Sequence, residues 1–241
     1  AGPIGGYLAK KLCQAGHTVL MIEEHNQIGR PFQCAGLVNP GSMEKVGLES
    51  TALTRIWGAR IHGPGGTLVE IGSPERTRTW SVCRKLFDEA VVAQAISAGG
   101  SLMLNSTPKG TSISDEYVVT TISTDNTELT VKSKVVLGCD GAHSWVRRYH
   151  RMGRVRETMI GFQIDVTGYL HKEGKLDMYT GQQIAPGFFA WAIPTGTTTR
   201  IGTFSRPDLL GGKSSEETLA ELLNHKLWKD RFEGLSLIHI S

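Results

Sequence analysis

The apolar positions of the chain follow both helical and strand spacing. A helical stretch at 7–15 precedes an apolar run at 17–22, and this order predicts a helix followed by a buried strand. Apolar residues at helical spacing predict another helix over 85–98, ended by two glycines. Residues 214–233 begin with a serine–glutamate start signal and are also expected to be helical.

Short alternating segments predict strands between these helices. The pattern at about 101–133 is that of a small β-meander, and a buried strand is expected over 134–139. Residues 24–38 have the composition of a loop, and residues 234–241 show no pattern that we can interpret. Further strands are expected at 55–71 around a Gly-Pro-Gly-Gly turn, and at 80–84, 161–168, 177–180 and 198–204.

This order of elements predicts an α/β fold in two parts. Residues 1–150 have the alternation of a Rossmann-like dinucleotide-binding domain that lacks its first strand. Residues 151–241 are expected to form an inserted β-sheet region, incomplete at its C-terminus. We therefore expect the chain to begin inside a domain and to be truncated at both ends.

Glycines at the start of the first helix indicate a phosphate-binding turn. Gly2 and Gly5 match the second and third glycines of a G-x-G-x-x-G fingerprint, which brings backbone N–H groups and a positive helix end to a pyrophosphate. Glu23 stands about 20 residues further on, where an acidic residue binds a ribose hydroxyl. The pattern favours a dinucleotide site, although a β-α-β unit without a ligand has the same spacing.

Composition and charge exclude several classes. The sequence has no run of 18 apolar residues, so it predicts no membrane-spanning helix. A net charge of +3 is too small to indicate nucleic-acid binding. The cysteines, Cys13, Cys34, Cys83 and Cys139, lack the close pairs of a zinc site. We expect free thiols, no metal and an intracellular protein.

One basic cluster stands out against this mild charge. It consists of Arg147, Arg148, His150, Arg151, Arg154 and Arg156. The cluster is either a solvated helix end with its loop, or a surface that attracts an anionic ligand or an anionic surface. Charge alone does not separate these interpretations.

The loop after Glu23 carries a more specific pattern. Residues 28–36, Ile-Gly-Arg-Pro-Phe-Gln-Cys-Ala-Gly, resemble the G-R-P-x-x-C-A-G loop of the geranylgeranyl reductase family of FAD-dependent enzymes, especially its archaeal-type reductases of digeranylgeranylglycerophospholipids. The resemblance extends from Ala1 to about Phe204. It includes V-x-R-x-x-F-D around Arg84, G-x-D-G around Asp140 and P-G-x-x-x-W-x-x-P at 186–194. The family's first fingerprint glycine and its later G-D-A-A-G segment do not occur in the chain.

The resemblance implies an FAD-binding domain of p-hydroxybenzoate hydroxylase-like architecture with an inserted substrate sheet. It also implies cofactor-binding roles for Gly2, Pro3, Ile4, Gly5, Glu23, Arg30, Cys34, Ala35, Arg84, Pro108, Asp140 and Gly141. Cys34 and Ala35 then lie against the flavin, and Pro108 lies where the backbone passes the adenine.

Individual side chains leave alternatives open. Arg84 pairs with a cofactor phosphate or with a surface carboxylate, and Asp140 is a ligand of a sugar-like chain or an ordinary turn or N-cap residue. Cys34 is the candidate catalytic residue: a proton donor, a group that shapes the flavin surroundings, or a buried thiol.

The resemblance further implies hydrogenation of C=C bonds in geranylgeranyl chains of isoprenoid ether lipids. Because an isolated alkene takes hydride at one carbon and a proton at the other, placing the alkene and excluding water are what the protein contributes. The lipid tail needs an apolar cavity, for which Phe188, Phe189, Trp191 and Ile193 have the right character. Plain strand core is the alternative explanation of these residues.

Two other functions share parts of this pattern. An FAD-dependent aromatic monooxygenase has the same glycine and Asp-Gly turns, and a non-catalytic membrane-binding module would bind anionic head groups through the basic cluster. For the reductase we expect an isoprenoid lipid substrate, ferredoxin or a reduced nicotinamide as electron donor, and no nucleic acid. We expect it in the cytoplasm, with peripheral membrane contact.

Overall fold

The structure is a computed structural model that describes residues 1–125 and 127–240. Its helices are α1 (Pro3–Gln14), α2 (Pro40–Val46), α3 (Arg84–Ser97), α4 (Trp145–Tyr149) and α5 (Ser215–Leu223), with 3-10 turns at Glu49–Thr51, Pro207–Leu209 and Lys229–Arg231. Its strands are β1 (Leu20–Ile22), β2 (Leu37–Val38), β3 (Ala52–Ile56), β4 (Gly58–His62), β5 (Leu68–Gly72), β6 (Thr79–Val82), β7 (Ser101–Met103), β8 (Ser106–Ile113), β9 (Val118–Thr124), β10 (Thr127–Ser133), β11 (Ile160–Thr167), β12 (Lys175–Tyr179), β13 (Ala190–Thr195), β14 (Thr198–Ser205) and β15 (Ser236–Ile240).

The chain divides into two compact units, each made of two segments. Unit 1 consists of Ala1–Phe32 and Arg84–Val155, and unit 2 consists of Gln33–Cys83 and Arg156–Ser241. Residues 33–83, which the sequence analysis assigned to the first domain, group with unit 2. They do so because β4 pairs in parallel with β12, which lies more than a hundred residues further along the chain.

Unit 1 contains a parallel strand pair and a separate meander. Strand β1 pairs in parallel with β7, and Met21 lies opposite Leu102. Helix α1 packs closely on α3, since a Cβ added at Gly6 would lie 3.1 Å from the side chains of both Val91 and Val92. Strands β8, β9 and β10 form an antiparallel sheet in which β9 is central. The predicted meander at about 101–133 therefore begins only at β8, because residues 101–103 form β7 beside β1.

The buried strand predicted over 134–139 is wrong. These residues form neither helix nor strand, and Val135 and Leu137 are 65% and 52% exposed. Among the described residues, no strand pairs with this segment, and β1 has β7 as its one neighbour. An apolar run becomes a strand only where a neighbouring strand satisfies its backbone hydrogen bonds.

Unit 2 is organised around a seven-stranded sheet with the order β15-β11-β14-β13-β12-β4-β5, and β2, β6 and β3 form a smaller antiparallel sheet. Alternate residues of β13 belong to different core clusters. Ala190 and Ala192 pack with Leu219 and Leu222 of α5, whereas Trp191 and Ile193 pack with β4 and β12 side chains. Since successive side chains of a strand point to opposite faces, the sheet has an apolar cluster on each face.

The C-terminal part of unit 2 differs from the sequence prediction. The helix expected over 214–233 ends at Leu223, although it begins as predicted, because Ser214 and Glu217 form a capping box. Residues 236–240, for which we had no interpretation, form β15 beside β11. Within the described residues, none of the helices has the length and apolar character needed to cross a bilayer.

Candidate functional site

The start of α1 has the properties of an anion-binding turn. Gly2 is its N-cap residue and Pro3 its first residue. A Cβ added at Gly2 would meet no described atom within 4 Å, so space beside this backbone is open. The first turn carries no acidic side chain, and the N-terminus of a helix offers free N–H groups and a positive dipole end. These features fit the diphosphate of a dinucleotide.

The turn around Asp140 lies against this helix start. A Cβ added at Gly5 would lie 3.3 Å from Cβ of Cys139, so a larger residue at position 5 would press on the turn. The structure thus brings the predicted Gly2–Gly5 segment and the predicted Asp140–Gly141 turn to one place in unit 1. Burial raises the pKa of the Cys139 thiol, which therefore stays neutral beside the helix.

Glu23 lies at the end of β1, as predicted, and its carboxylate is already hydrogen-bonded. Its Oε1 accepts from the backbone N–H of His25 at 3.0 Å and lies 2.6 Å from His25 Nδ1. An ionised carboxylate at this position suits a ribose hydroxyl, which would be the donor.

Pro108 is brought close to Glu23 by the backbone. The N–H of Ser106 donates to the carbonyl of Glu23 at 2.8 Å, and Pro108 follows two residues later in β8. The segment that the resemblance assigns to the adenine therefore begins beside the carboxylate that it assigns to the ribose. The contact of Pro108 with an adenine stays a prediction.

The Asp140 carboxylate binds the first turn of α4 in the structure. Its Oδ2 accepts from the backbone N–H of Val146 at 3.0 Å, at the start of α4. Burial raises the pKa of Asp140, but hydrogen bonds from Ser144 and from the backbone outweigh it and lower the pKa. The N-cap residue of α4 is Ser144, so Asp140 supports the helix start from outside the helix. The interaction of Asp140 with a sugar-like chain stays a prediction.

Arg30 and Arg84 lie on adjacent segments of unit 1. A Cβ added at Gly29 would lie 2.7 Å from Cα of Lys85, so the loop before Arg30 touches the beginning of α3. Arg84 donates from Nε and Nη2 to the two oxygens of Asp88 at 2.8 and 3.0 Å. Asp88 is only 6% exposed. Arg84 thus pairs with a buried carboxylate of its own helix. The interaction of Arg84 with a cofactor phosphate stays a prediction.

The Cys-Ala-Gly loop in unit 2 is held by side chains of the large sheet. Gln163 of β11 donates from Nε2 to the carbonyl of Cys34 at 3.3 Å. Arg200 of β14 donates from Nη1 to the carbonyl of Ala35 at 2.9 Å. The N–H of Gly36 points to Cys34 Sγ at 3.5 Å. Neither Gln163 nor Arg200 was among the residues predicted from the sequence.

The aromatic segment is partly core and partly exposed. Trp191 and Ile193 are 4% and 1% exposed, which matches the strand-core alternative, whereas Phe188 is 45% exposed and stacks on Phe189 at 4.4 Å. Ala35 and Phe189 both pack against the buried cluster that contains Trp191 and Ile193. The Trp191 Nε1 atom has no hydrogen-bond partner among the described residues. The structure therefore joins the predicted flavin loop and the predicted substrate segment within unit 2.

The sequence contains a signal for Arg200, one of the two residues that the sequence analysis did not predict. Arg200 interrupts the apolar and small residues of β14, and a charged residue in the middle of a buried strand needs a buried partner. Its partner, Asp165, lies directly opposite on β11. The loop that Arg200 also holds could not be read from this pairing, because the loop lies 165 residues away in the chain.

The parallel strand pair, the open glycine turn and the carboxylate at the end of β1 are features of a dinucleotide-binding protein. The chain belongs to the FAD binding domain family, whose model matches residues 1–200. This membership confirms FAD as the predicted cofactor and the flavoprotein fold as the predicted architecture.

Relatives and solved structures agree with the resemblance seen in the sequence. The digeranylgeranylglycerophospholipid reductase of Methanocaldococcus jannaschii is 27% identical to the chain, over 99% of the chain and 61% of the reductase. The reductase of the same name from Methanosarcina acetivorans is 30% identical, over 81% of the chain and 50% of its own length. A geranylgeranyl bacteriochlorophyll reductase-like structure from Thermoplasma acidophilum matches with a TM-score of 0.86 at 23% identity, over 99% of the chain and 62% of that protein.

These matches confirm the predicted resemblance to geranylgeranyl reductases. The curated relatives are reductases by name, in agreement with the predicted oxidoreductase class. The chain spans about half to three fifths of the length of these relatives.

Proposed function

We propose that the protein is an FAD-dependent reductase that hydrogenates C=C bonds of geranylgeranyl chains in isoprenoid ether lipids. The observation that carries the proposal is the packing of both Ala35 and Phe189 against the buried cluster that contains Trp191 and Ile193. The Cys-Ala-Gly loop, which the resemblance assigns to the flavin, and the aromatic segment, which it assigns to the lipid cavity, thus form one apolar wall. The names of the relatives support the same substrate class.

FAD, once bound and reduced, would supply a hydride, and with it both electrons, to one alkene carbon, and a proton would form the second C–H bond as the C=C π bond breaks. The chain contributes binding and orientation. The start of α1 holds the diphosphate, and Glu23 accepts a hydrogen bond from the ribose. The apolar wall would place the lipid tail and exclude water, and the resemblance assigns Cys34 to the flavin as a shaping group or proton donor. Electrons reach the site from ferredoxin or a reduced nicotinamide.

The test is an anaerobic half-reaction with the protein purified at its natural length. The protein is reconstituted with FAD, reduced with a limiting amount of dithionite and mixed with a digeranylgeranyl glycerophospholipid. Recovery of oxidised-flavin absorbance, together with a lipid that is heavier by two hydrogens per turnover, supports the proposal. The matched control is the fully saturated lipid, which has no C=C bond and should leave the flavin reduced.

The same assay separates the reductase from the aromatic monooxygenase. A monooxygenase would leave its flavin reduced without oxygen and would consume oxygen in the presence of an aromatic substrate. Reduced flavin that persists with the unsaturated lipid therefore contradicts the proposed function.

A second proposal concerns peripheral membrane contact. Between Arg147 and Val155 of unit 1 the segment has no acidic residue, and Arg148, Arg151 and Arg154 are exposed. Met152 and Val155 alternate with these arginines and are 69% and 47% exposed. Arginines interleaved with exposed apolar side chains fit an anionic lipid surface, where each basic residue contributes about 1 kcal/mol.

Vesicle co-sedimentation tests this contact without any cofactor. Replacing Arg148, Arg151 and Arg154 by Gln should weaken partition to anionic vesicles by about 3 kcal/mol, or roughly a hundredfold. A control variant with Lys45, Arg76 and Arg78 replaced by Gln removes the same charge from exposed positions of unit 2. Equal binding of the two variants, or equal binding to neutral vesicles, would contradict a role for this segment.

A further inference from the structure

Two successive carbonyl groups of the Cys-Ala-Gly loop are bound by side chains from two paired strands. Gln163 holds the carbonyl of Cys34, and Arg200 holds the carbonyl of Ala35. The strands β11 and β14 lie side by side in antiparallel register, in which Gln163 is opposite Gly202 and Asp165 is opposite Arg200. Backbone carbonyls of a loop are ordinarily satisfied by water or by local turns, so two adjacent side-chain donors fix this loop unusually firmly to the sheet.

Arg200 is itself held in one orientation. It is 4% exposed, and its Nε and Nη2 atoms donate to the two oxygens of Asp165 at 2.9 and 3.2 Å. A buried guanidinium is costly unless its charge is paired and its donors are bound. The bidentate pair with Asp165 satisfies one edge of the planar group and directs Nη1 to the loop.

Gly36 of the Cys-Ala-Gly loop is closely packed between Val82 and Arg200. A Cβ added at Gly36 would lie 2.5 Å from the carbonyl oxygen of Val82 and 2.8 Å from Arg200 Nη1. The carbonyl of Gly36 in turn accepts from the N–H of Val82 at 2.8 Å. Residues 34–36 are therefore bound to β6 on one side and to Arg200 on the other.

We propose that Arg200 and Gln163 are positioning residues that set the place of Cys34 and Ala35 in the reductase. The assignment rests on the proposed function for its catalytic meaning, but the positioning itself is a property of unit 2. Arg200 and Gln163 touch the loop backbone and act on the reaction through it. A shift of about 1 Å at a reacting centre can cost about a hundredfold in rate, so a loosened loop lowers turnover without removing any reacting group.

The first test measures the reactivity of Cys34 and needs no cofactor. Arg200→Lys keeps the positive charge beside Asp165 but lacks the planar fork, and Gln163→Met keeps the side-chain length but removes the donor. Loss of one such hydrogen bond corresponds to about 0.5–1.5 kcal/mol, so the alkylation rate of Cys34, followed by mass spectrometry of its peptide, should rise about two- to tenfold.

The urea dependence of the alkylation rate distinguishes local loosening from unfolding. Local loosening raises the rate already without urea and leaves it nearly constant at low urea, whereas exposure by global unfolding rises steeply with urea. Arg60→Lys is a matched control, because Arg60 is another poorly exposed arginine of unit 2 that pairs with an aspartate, Asp177, in the same sheet. Unchanged Cys34 reactivity in both loop variants, or a rate that rises with urea as steeply as unfolding does, overturns the proposal.

The second test measures kcat and KM separately on the FAD-loaded protein. Arg200→Lys and Gln163→Met should lower kcat several-fold at nearly unchanged KM and should shift the flavin absorbance spectrum, effects that Arg60→Lys should not share. A change in KM alone would overturn the positioning role. If the FAD-loaded protein reduces no alkene, the proposed function fails, while the alkylation result still decides whether Arg200 and Gln163 fix the loop.

Discussion

Replacing Gly36 by Ala tests how tightly the Cys-Ala-Gly loop is built into unit 2. Gly36 has φ of +78°, in the left-handed region that disfavours residues with a Cβ. The added methyl group would also lie 2.5 Å from the carbonyl oxygen of Val82 and 2.8 Å from Arg200 Nη1. Both neighbours are held by other hydrogen bonds, so neither can move away at little cost.

The expected loss of folding stability in Gly36→Ala has two separable parts. A left-handed backbone costs a residue with a Cβ about 1–2 kcal/mol, and forcing a methyl group into an occupied site costs about 1–3 kcal/mol. Gly36→Ala should therefore lower the free energy of unfolding by about 2–5 kcal/mol in total.

Gly47→Ala isolates the backbone part. Gly47 ends α2 with a similar φ of +64°, but a Cβ there would meet no described atom within 4 Å. Gly47→Ala should therefore lower the free energy of unfolding by only about 1–2 kcal/mol. Urea unfolding of the two variants, followed by intrinsic fluorescence, gives the comparison, and their difference of about 1–3 kcal/mol measures the contact with Val82 and Arg200. Equal destabilisation by the two substitutions would refute the close packing of this loop.

Three further predictions concern other parts of the two units. Asp177→Asn removes a fully buried carboxylate that lies 2.8 Å from Arg60 and 3.1 Å from Arg231. The substitution should lower the free energy of unfolding in urea by about 3–5 kcal/mol, and a decrease below about 1 kcal/mol would contradict this pairing. Burial lowers the pKa of His171 to about 4, so the unfolded chain binds the proton first and stability should fall as the pH drops from about 6.5 to about 4. His171→Phe should make this fall in the urea midpoint smaller, and an unchanged slope would contradict the burial of His171. Gly6→Val should separate α1 from α3 and weaken FAD binding in a fluorescence titration, and unchanged affinity would count against the close packing of these helices.

Local patterns were enough to predict the elements that depend on local chemistry. The amphipathic spacing at 85–98 gave α3 to within a residue. Ser214 and Glu217 marked the start of α5 correctly, because a capping box is formed by residues three apart. Glu23 was placed correctly at the end of β1. Gly2 stands at the start of α1, but the helix begins at Pro3, four residues before its predicted start, so that Gly5 and Gly6 lie within it.

Elements that depend on distant partners were missed. The apolar segment at 134–139 looks like a strand in sequence, but no described neighbour pairs with it. The assignment of 33–83 to unit 2 depends on the pairing of β4 with β12, for which no local signal exists. The hydrogen bonds from Gln163 and Arg200 to the loop join residues 129 and 165 positions apart. In these cases the tertiary contact decides the structure, and the surrounding sequence does not specify it.

The central claim is that reduced FAD held by this protein hydrogenates an isoprenoid alkene. The most direct measurement is the flavin absorbance of the dithionite-reduced protein, at its natural length, after anaerobic mixing with a digeranylgeranyl glycerophospholipid. We predict recovery of the oxidised spectrum with the unsaturated lipid, none with the saturated lipid, and a gain of two hydrogens in the product. A flavin that binds but stays reduced with both lipids would contradict the claim.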